Sequence, residues 1–315
     1  MASKKPKDAD IFEIDALSPG VLDLDALDEE DDIFSIVEEE TVAPKKAKRK
    51  TEVVEEEEED TSISSLITDI DDKVEYLTWV IYGKNGTGKT TLLSTTEGML
   101  VLASEDGTLS IRDKSKGTAK KLRIDTWEKL EAVYWLLAQG KQVKDKSGKI
   151  LGIEIKVKDG KFLVKTIGFD TVDRLAEVCM RNVVLGEKEK DPDKDILKKT
   201  LKNWGDMGEK MKFWLQQFEE LPVQRVLLCQ EASNSEDVDS DEFSIYPALN
   251  QSLRKYILSE ADIIARLYIA KTEKGMQFKM SAKPNSKFVT KDRTTKLSGV
   301  ISDPHLDKIY NAVFK

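Results

Sequence analysis

Apolar positions fall into two regimes along the chain. Over residues 1–72 they are short and scattered among the acid runs "LDEEDD" and "VEEEEED" and a basic run, Lys45–Lys50. Such a segment holds too little apolar surface to offset the entropy of ordering, so it reads as a disordered acidic tail. From about Glu75 the apolar runs become long enough to be elements. Leu77–Tyr82 reads as a buried strand, Lys89–Glu97 as a helix, and Met99–Ser104 as a second strand. "KLRI" gives a third, followed by a helix through "DTWEKLEAVYWLLAQG". There Asp125 and Glu128 have the spacing of a capping box, and Gly140 closes the helix. Residues Lys149–Phe169 alternate around Asp159-Gly160, a hairpin signal, and the second arm runs on into "KTIGFDTVD". The charged stretch "GEKEKDPDKDILKK" reads as a loop between two helices. In the later helix Trp204, Met207, Met211, Trp214, Phe218 and Leu221 recur at intervals of three and four, which makes one apolar stripe for packing. "VQRVLLCQE" is a further buried strand, and "DIIARLYIAKTEKGMQFKMSA" reads as a hairpin turning near Gly275. Strands alternating with helices predict an α/β domain over residues 73–315. Its sheet is mainly parallel and flanked by helices, with an added antiparallel hairpin.

Charge sharpens the division. The net charge is −9, but residues 1–60 hold 21 Asp and Glu against 8 Lys and Arg, and the rest hold 38 against 42. A mildly basic body with an acidic tail suits a nucleic-acid ligand or an interaction tail, and equally a solubilising one. Within the tail "DIF" recurs at Asp10–Phe12 and Asp32–Phe34, and "DAL" at Asp15–Leu17 and Asp25–Leu27. These short apolar echoes have the look of docking motifs for a protein partner. The two cysteines, Cys179 and Cys229, exclude a disulfide framework and a Cys-type zinc site, and His305 reads as a surface residue. No run of about 18 apolar residues predicts a membrane span. The start "MASKKPKDADIFEID" lacks the apolar core of a signal peptide, so a cytoplasmic location is expected.

The chemistry concentrates after the first strand. "GKNGTGKT", Gly83–Thr90, matches G-x4-G-K-S/T in full. Glycines at these positions let backbone N–H groups turn inward as a nest for phosphate oxygens, and the helix that follows points its positive end at the same anion. Gly83, Lys84, Asn85, Gly86, Thr87, Gly88, Lys89, Thr90 and Thr91 therefore form a candidate nucleotide loop. Lys89 is placed to reach the β- and γ-phosphates of ATP, and the Thr90 hydroxyl to ligate Mg2+. A second metal carboxylate is expected at the end of a strand. Asp170 in "KTIGFDTVD" is that candidate, and Asp173 competes from the next helix. Glu105 and Gln230 both follow apolar strands, so both belong at the carboxyl edge where ligands bind open α/β sheets. Glu105 is the candidate for polarising water and Gln230 for sensing the γ-phosphate.

The order of these pieces resembles the RecA-type ATPase core. More closely, "IYGKNGTGKTTL", "SEDGT", "GFDTVDRLAE", "NWGDMGEKMKFWL" and "KDRTTKLSG" are similar to small phage-encoded RecA-like ATP-binding proteins of single-strand annealing and recombination. The resemblance covers residues 75–315. It implies a RecA-like P-loop NTPase core, ATP and Mg2+ as cofactors, and Glu105 as catalytic base. It implies Gln230 as sensor, single-stranded DNA as partner, and homo-oligomers in rings or filaments. It further implies a basic residue reaching a neighbour's nucleotide: Lys283 in "SAKPNSK" matches, with Arg293 next. Two departures stand out. Ala103 takes a place where relatives often carry an acid, and the stretch after Gln230, "EASNSEDVDSDEF", is acidic where RecA touches DNA. The rival reading from another class is a nucleotide-gated scaffold that recruits partners through its tail with little turnover.

Overall fold

The strand that leads into the glycine-rich loop, β1 (Thr78–Gly83), is buried along its whole length and is hydrogen-bonded on both sides. The computed structural model describes residues 76–105, 118–158, 160–233, 245–273, 275–297 and 299–314. The expected tail with its docking echoes, and most of the acidic stretch after Gln230, lie outside the described residues. On one side of β1 lie β8 (Gln224–Ser233), β7 (Thr166–Asp170), β2 (Met99–Ala103) and β3 (Ala119–Arg123), in that order and all parallel. On the other side β10 (Ile263–Thr272) is parallel to β1, and β11 (Gly275–Ser281) folds back against it from Thr272↔Gly275. β13 (Val300–Ser302) extends this edge, while the short β9 (Ile245–Pro247) and β12 (Lys291–Asp292) pair with β8 and β10. The expected architecture is the one observed: a mostly parallel sheet flanked by helices, with an antiparallel hairpin.

Alternation along the strands divides the core into two layers. Val80 and Tyr82, Leu100 and Leu102, and Ile167 and Phe169 face helices α2 (Trp127–Ala138), α3 (Val172–Lys190), α4 (Leu201–Glu219) and α5 (Gln251–Glu260). Trp79 and Ile81, Met99 and Val101, and Val226 and Leu228 face the short α1 (Lys89–Leu93) and the last helix, α6 (Leu306–Phe314).

Several local expectations are corrected. The first helix stops at Leu93 instead of Glu97. The Ser94 and Thr95 hydroxyls donate back to the carbonyls of Thr91 (2.7 Å) and Leu92 (2.6 Å), and the Thr95 hydroxyl accepts from the Leu306 N–H of α6 (2.9 Å). Asp125 is not a cap. Thr126 holds that position without a side-chain bond, and the Asp125 carboxylate accepts a hydrogen bond from Lys129 Nζ at 2.6 Å. The alternating stretch does not run unbroken into "KTIGFD". β5 (Ile150–Val157) and β6 (Gly160–Val164) join β4 (Lys141–Lys144) in a separate three-stranded antiparallel sheet. The chain changes sheets at Lys165, where the N–H groups of Lys165 and Thr166 both donate to Gly98 O. Helix α3 absorbs "GEKEK", because Glu187 accepts from Lys194, Lys202 and Asn203 and so ties its last turn to α4. In the α4 stripe Met207, Met211 and Phe218 are buried as expected, but Trp204 is 45% exposed.

Candidate nucleotide site

Gly83 ends β1 directly opposite Gln230 of β8. A Cβ there would meet Leu267 O at 2.1 Å, so the chain needs glycine to pass between β10 and the loop. Gly86 and Gly88 take φ of 79° and 87°, the left-handed region that side chains rarely adopt. Thr87, nearly buried, donates its hydroxyl to Lys84 O at 2.8 Å and closes the turn.

Lys89 is 6% exposed, and its Nζ donates to Gly83 O (2.7 Å), Lys84 O (2.9 Å) and Gln230 Oε1 (3.0 Å). Burial lowers its pKa, and the nearby Asp170 and Asp173 carboxylates oppose that shift. One residue on, the Thr90 hydroxyl donates to Asp170 Oδ2 at 2.7 Å. Asp170 ends β7 between Ala103 and Leu228 on the flanking strands and is 2% exposed. Burial raises its pKa, the Thr90 hydrogen bond works against this, and Glu105 adds to it. Its second oxygen, Oδ1, is buried without a partner. A buried carboxylate with one idle oxygen beside a threonine hydroxyl is the donor set for one face of Mg2+. That ion commonly takes one or two carboxylates and completes its shell with substrate phosphate and water. The residues present therefore fit a Mg–nucleotide, with Thr90 and Asp170 holding the metal. Among the described residues no group of three or more His, Cys, Asp or Glu is set to hold a metal ion by itself.

The walls close around a pocket of about 290 Å³ lined by Asn85, Gly86, Gly88, Lys89, Thr90, Thr91, Glu105, Asp170, Thr171, Gln230 and Phe278. A family model described as an AAA domain matches residues 75–294. The chain belongs to this family. The AAA-domain match takes in the whole loop, Glu105, Asp170, Gln230 and Lys283, and with the loop it makes this a P-loop ATPase by family. Among solved structures, a KaiC-like protein from the hyperthermophilic archaeon Pyrococcus horikoshii OT3 is similar at 11% identity. That likeness covers 65% of this chain and 76% of the other, with a TM-score of 0.33. No curated protein matches the chain.

The AAA domain thus brings eight of the sequence-predicted residues to one cavity: Asn85, Gly86, Gly88, Lys89, Thr90, Thr91, Glu105 and Asp170, with Gln230 as the ninth. The five-residue α1 is shorter than the helix whose positive end was expected to aid binding, so the loop's own N–H groups and Lys89 carry more of that task. Glu105 is half exposed, with Arg174 Nε of α3 at 3.6 Å from its Oε2. Asp173 is not a second metal arm, because its Oδ1 accepts from the Gln230 N–H at 3.1 Å and so fixes the sensor strand. Lys283 is exposed beyond β11 and does not line the pocket of its own chain. Arg293 is spent on Asp262 (3.2 Å) and on Ser259 O (2.9 Å) at the end of α5. His305 is half buried rather than at the surface, and its Nδ1 is buried without a partner.

Sequence reasoning missed Arg174, Phe278 and the pair Arg266–Glu231. Phe278 fits the strand alternation of β11 and gives no signal by itself. Only the register Ile269↔Phe278 carries its ring to Gly88, where a Cβ would meet it at 3.2 Å.

Among the described residues no helix is long and apolar enough to cross a membrane.

Proposed function

We propose that this protein hydrolyses ATP with Mg2+ and couples turnover to single-stranded DNA in phage recombination, annealing or replication in the host cytoplasm. The observation that carries the ATPase part is the chain of contacts Thr90–Asp170 and Lys89–Gln230 around one pocket that also holds Glu105. Lys89 neutralises phosphate charge, and Thr90 and Asp170 hold the metal, which supplies further charge neutralisation when bound. Glu105 takes the proton of the attacking water, and Arg174 sets where its carboxylate waits. Gln230 shares the Lys89 ammonium, so a change in the charge that Lys89 meets is felt on β8. Phosphoryl transfer needs little more than this positioning and electrostatic support.

The DNA part rests on the motif resemblance and on the surplus of bases beyond residue 60. Assembly into a ring or filament, with Lys283 serving a neighbour's site, belongs to the same reading, as does a protein partner for the acidic tail. The test is phosphate release by the full chain with and without single-stranded DNA, at two salt concentrations. Turnover that rises with DNA, and rises less at high salt, is expected because phosphate contacts are salt-sensitive. Turnover indifferent to DNA, with no DNA binding at low salt, removes the DNA part. ATP binding without turnover leaves the nucleotide-gated scaffold.

A further inference from the structure

The phosphate pocket has a polarity. Lys89, which reaches β- and γ-phosphates in such loops, bonds Gln230, and Glu105 lies in the same pocket, so the terminal phosphate belongs at that end. The pocket's wall also includes Gly88, Thr91 and Phe278. These same three residues also line a second cavity of about 170 Å³, completed chiefly by Leu92, Asp303 and Pro304. This second cavity therefore adjoins the first along Gly88, Thr91 and Phe278.

Its walls suit a flat heteroaromatic group. Phe278 is 43% exposed, although its ring is held in place on one side by the loop at Gly88. Its strand is fixed by the ladder Ile269↔Phe278, and the Asp303 N–H donates to Phe278 O at 2.7 Å. Asp303 itself holds φ at 48°, a conformation that non-glycine residues adopt seldom and that clusters at ligand sites. That backbone turn brings Asp303, whose carboxylate is an acceptor for the amino edge of a base, and Pro304 into the cavity lining.

We infer that Phe278, with Asp303 and Pro304, forms the seat for the nucleotide base and sets the protein's preference for a nucleoside triphosphate over bare triphosphate. The inference rests on the ATP reading above and adds to it the residues that hold the base. An aromatic face under a base is worth a factor of roughly 5 to 150 in affinity.

The test is calorimetric titration of the full chain with Mg–ATP and, separately, with Mg–tripolyphosphate. Phe278→Ala is expected to weaken ATP by about 5- to 150-fold and to leave tripolyphosphate within about twofold, while Phe278→Trp keeps ATP affinity. Thermal midpoints of the variants verify folding, and Phe278→Leu, which keeps apolar bulk without a stacking face, should behave like the alanine variant. Unchanged ATP affinity in Phe278→Ala overturns the inference. So does an equal loss for both ligands, since Phe278 would then only shape the loop at Gly88. If the wild-type chain binds tripolyphosphate and ATP equally well, the base seat fails while the phosphate loop stands. If it binds neither, the ATP reading fails and the seat with it.

Discussion

Removing Arg266 while leaving Glu231 should be one of the costliest single changes near the site. Arg266 of β10 and Glu231 of β8 reach across the end of β1 in a two-pronged pair, Nε to Oε2 at 2.8 Å and NH2 to Oε1 at 3.1 Å. The glutamate side chain is 2% exposed and the arginine 18%. The guanidinium also lies against the rings of Phe288 (5.1 Å) and Tyr268 (5.5 Å). Arg266→Met keeps much of the apolar contact but leaves a carboxylate buried without its partner, a loss of about 3–5 kcal/mol. For a domain of this size about 1 kcal/mol moves the midpoint by about 2–4 °C, so a fall of about 6–20 °C is expected. The double variant Glu231→Leu/Arg266→Met removes both charges and should be more stable than Arg266→Met alone, because no unpaired charge remains. Equilibrium urea unfolding of wild type, both single variants and the double variant gives the coupling directly. Strictly additive losses, or a single-variant cost below about 1 kcal/mol, would refute the claim that burial governs this pair.

Three other outcomes are expected. Lys89→Ala should abolish phosphate release, whereas Glu105→Gln should still bind ATP and hydrolyse it about 10²–10⁴-fold more slowly; turnover within about threefold of wild type in either variant would reassign that residue. Glu187 is held at a pKa of about 2, below its ordinary 4.5, mainly by hydrogen bonds from Lys194 and Asn203. A depressed carboxylate stabilises the fold above its unfolded pKa, so the stability gap between wild type and Glu187→Gln should be full above about pH 5 and shrink toward pH 2; a gap that does not change with pH in urea titrations would contradict this. If Lys283 serves a neighbouring subunit, Lys283→Ala should lose activity, and mixing it with Lys89→Ala should restore part of it; a mixture no more active than its components would exclude that role.

The readable parts of this protein are those that carry a local pattern. The glycine-rich loop is legible because its residue types and spacing mark it as a motif, although what requires glycine at Gly83 and crowds Gly88 is Leu267 and Phe278, far along the chain. Strands β1, β2, β7 and β8 are legible because burial on both faces makes continuous apolar runs. Where the reading failed, the cause lay in contacts, some near and some far along the chain, that the apolar pattern does not encode. Helix α1 is cut short by hydroxyl bonds and by a clasp to Leu306, and the sheet change at Lys165 is set by Gly98. The Asp125 box lost to Lys129, a competitor one helical turn away that composition alone does not rank. Phe278 carries no pattern of its own, because its place beside the loop follows from hairpin register.

The position of β1 in the sheet also has a consequence for how the protein is made. Leu77 N bonds the Gln224 side chain and Thr78 N bonds the Asp262 side chain, partners 147 and 184 residues away in sequence. A ribosome adding about 5–20 residues per second has made the entire phosphate loop roughly 10–40 s before both flanking strands exist. During that interval the loop has its sequence but not its cradle, and a nascent chain carrying only the first half of the domain has no built nucleotide site. Nucleotide can thus stabilise the finished fold but cannot nucleate it, and the slow, long-range closure of β8 and β10 around β1 is the step that creates the site.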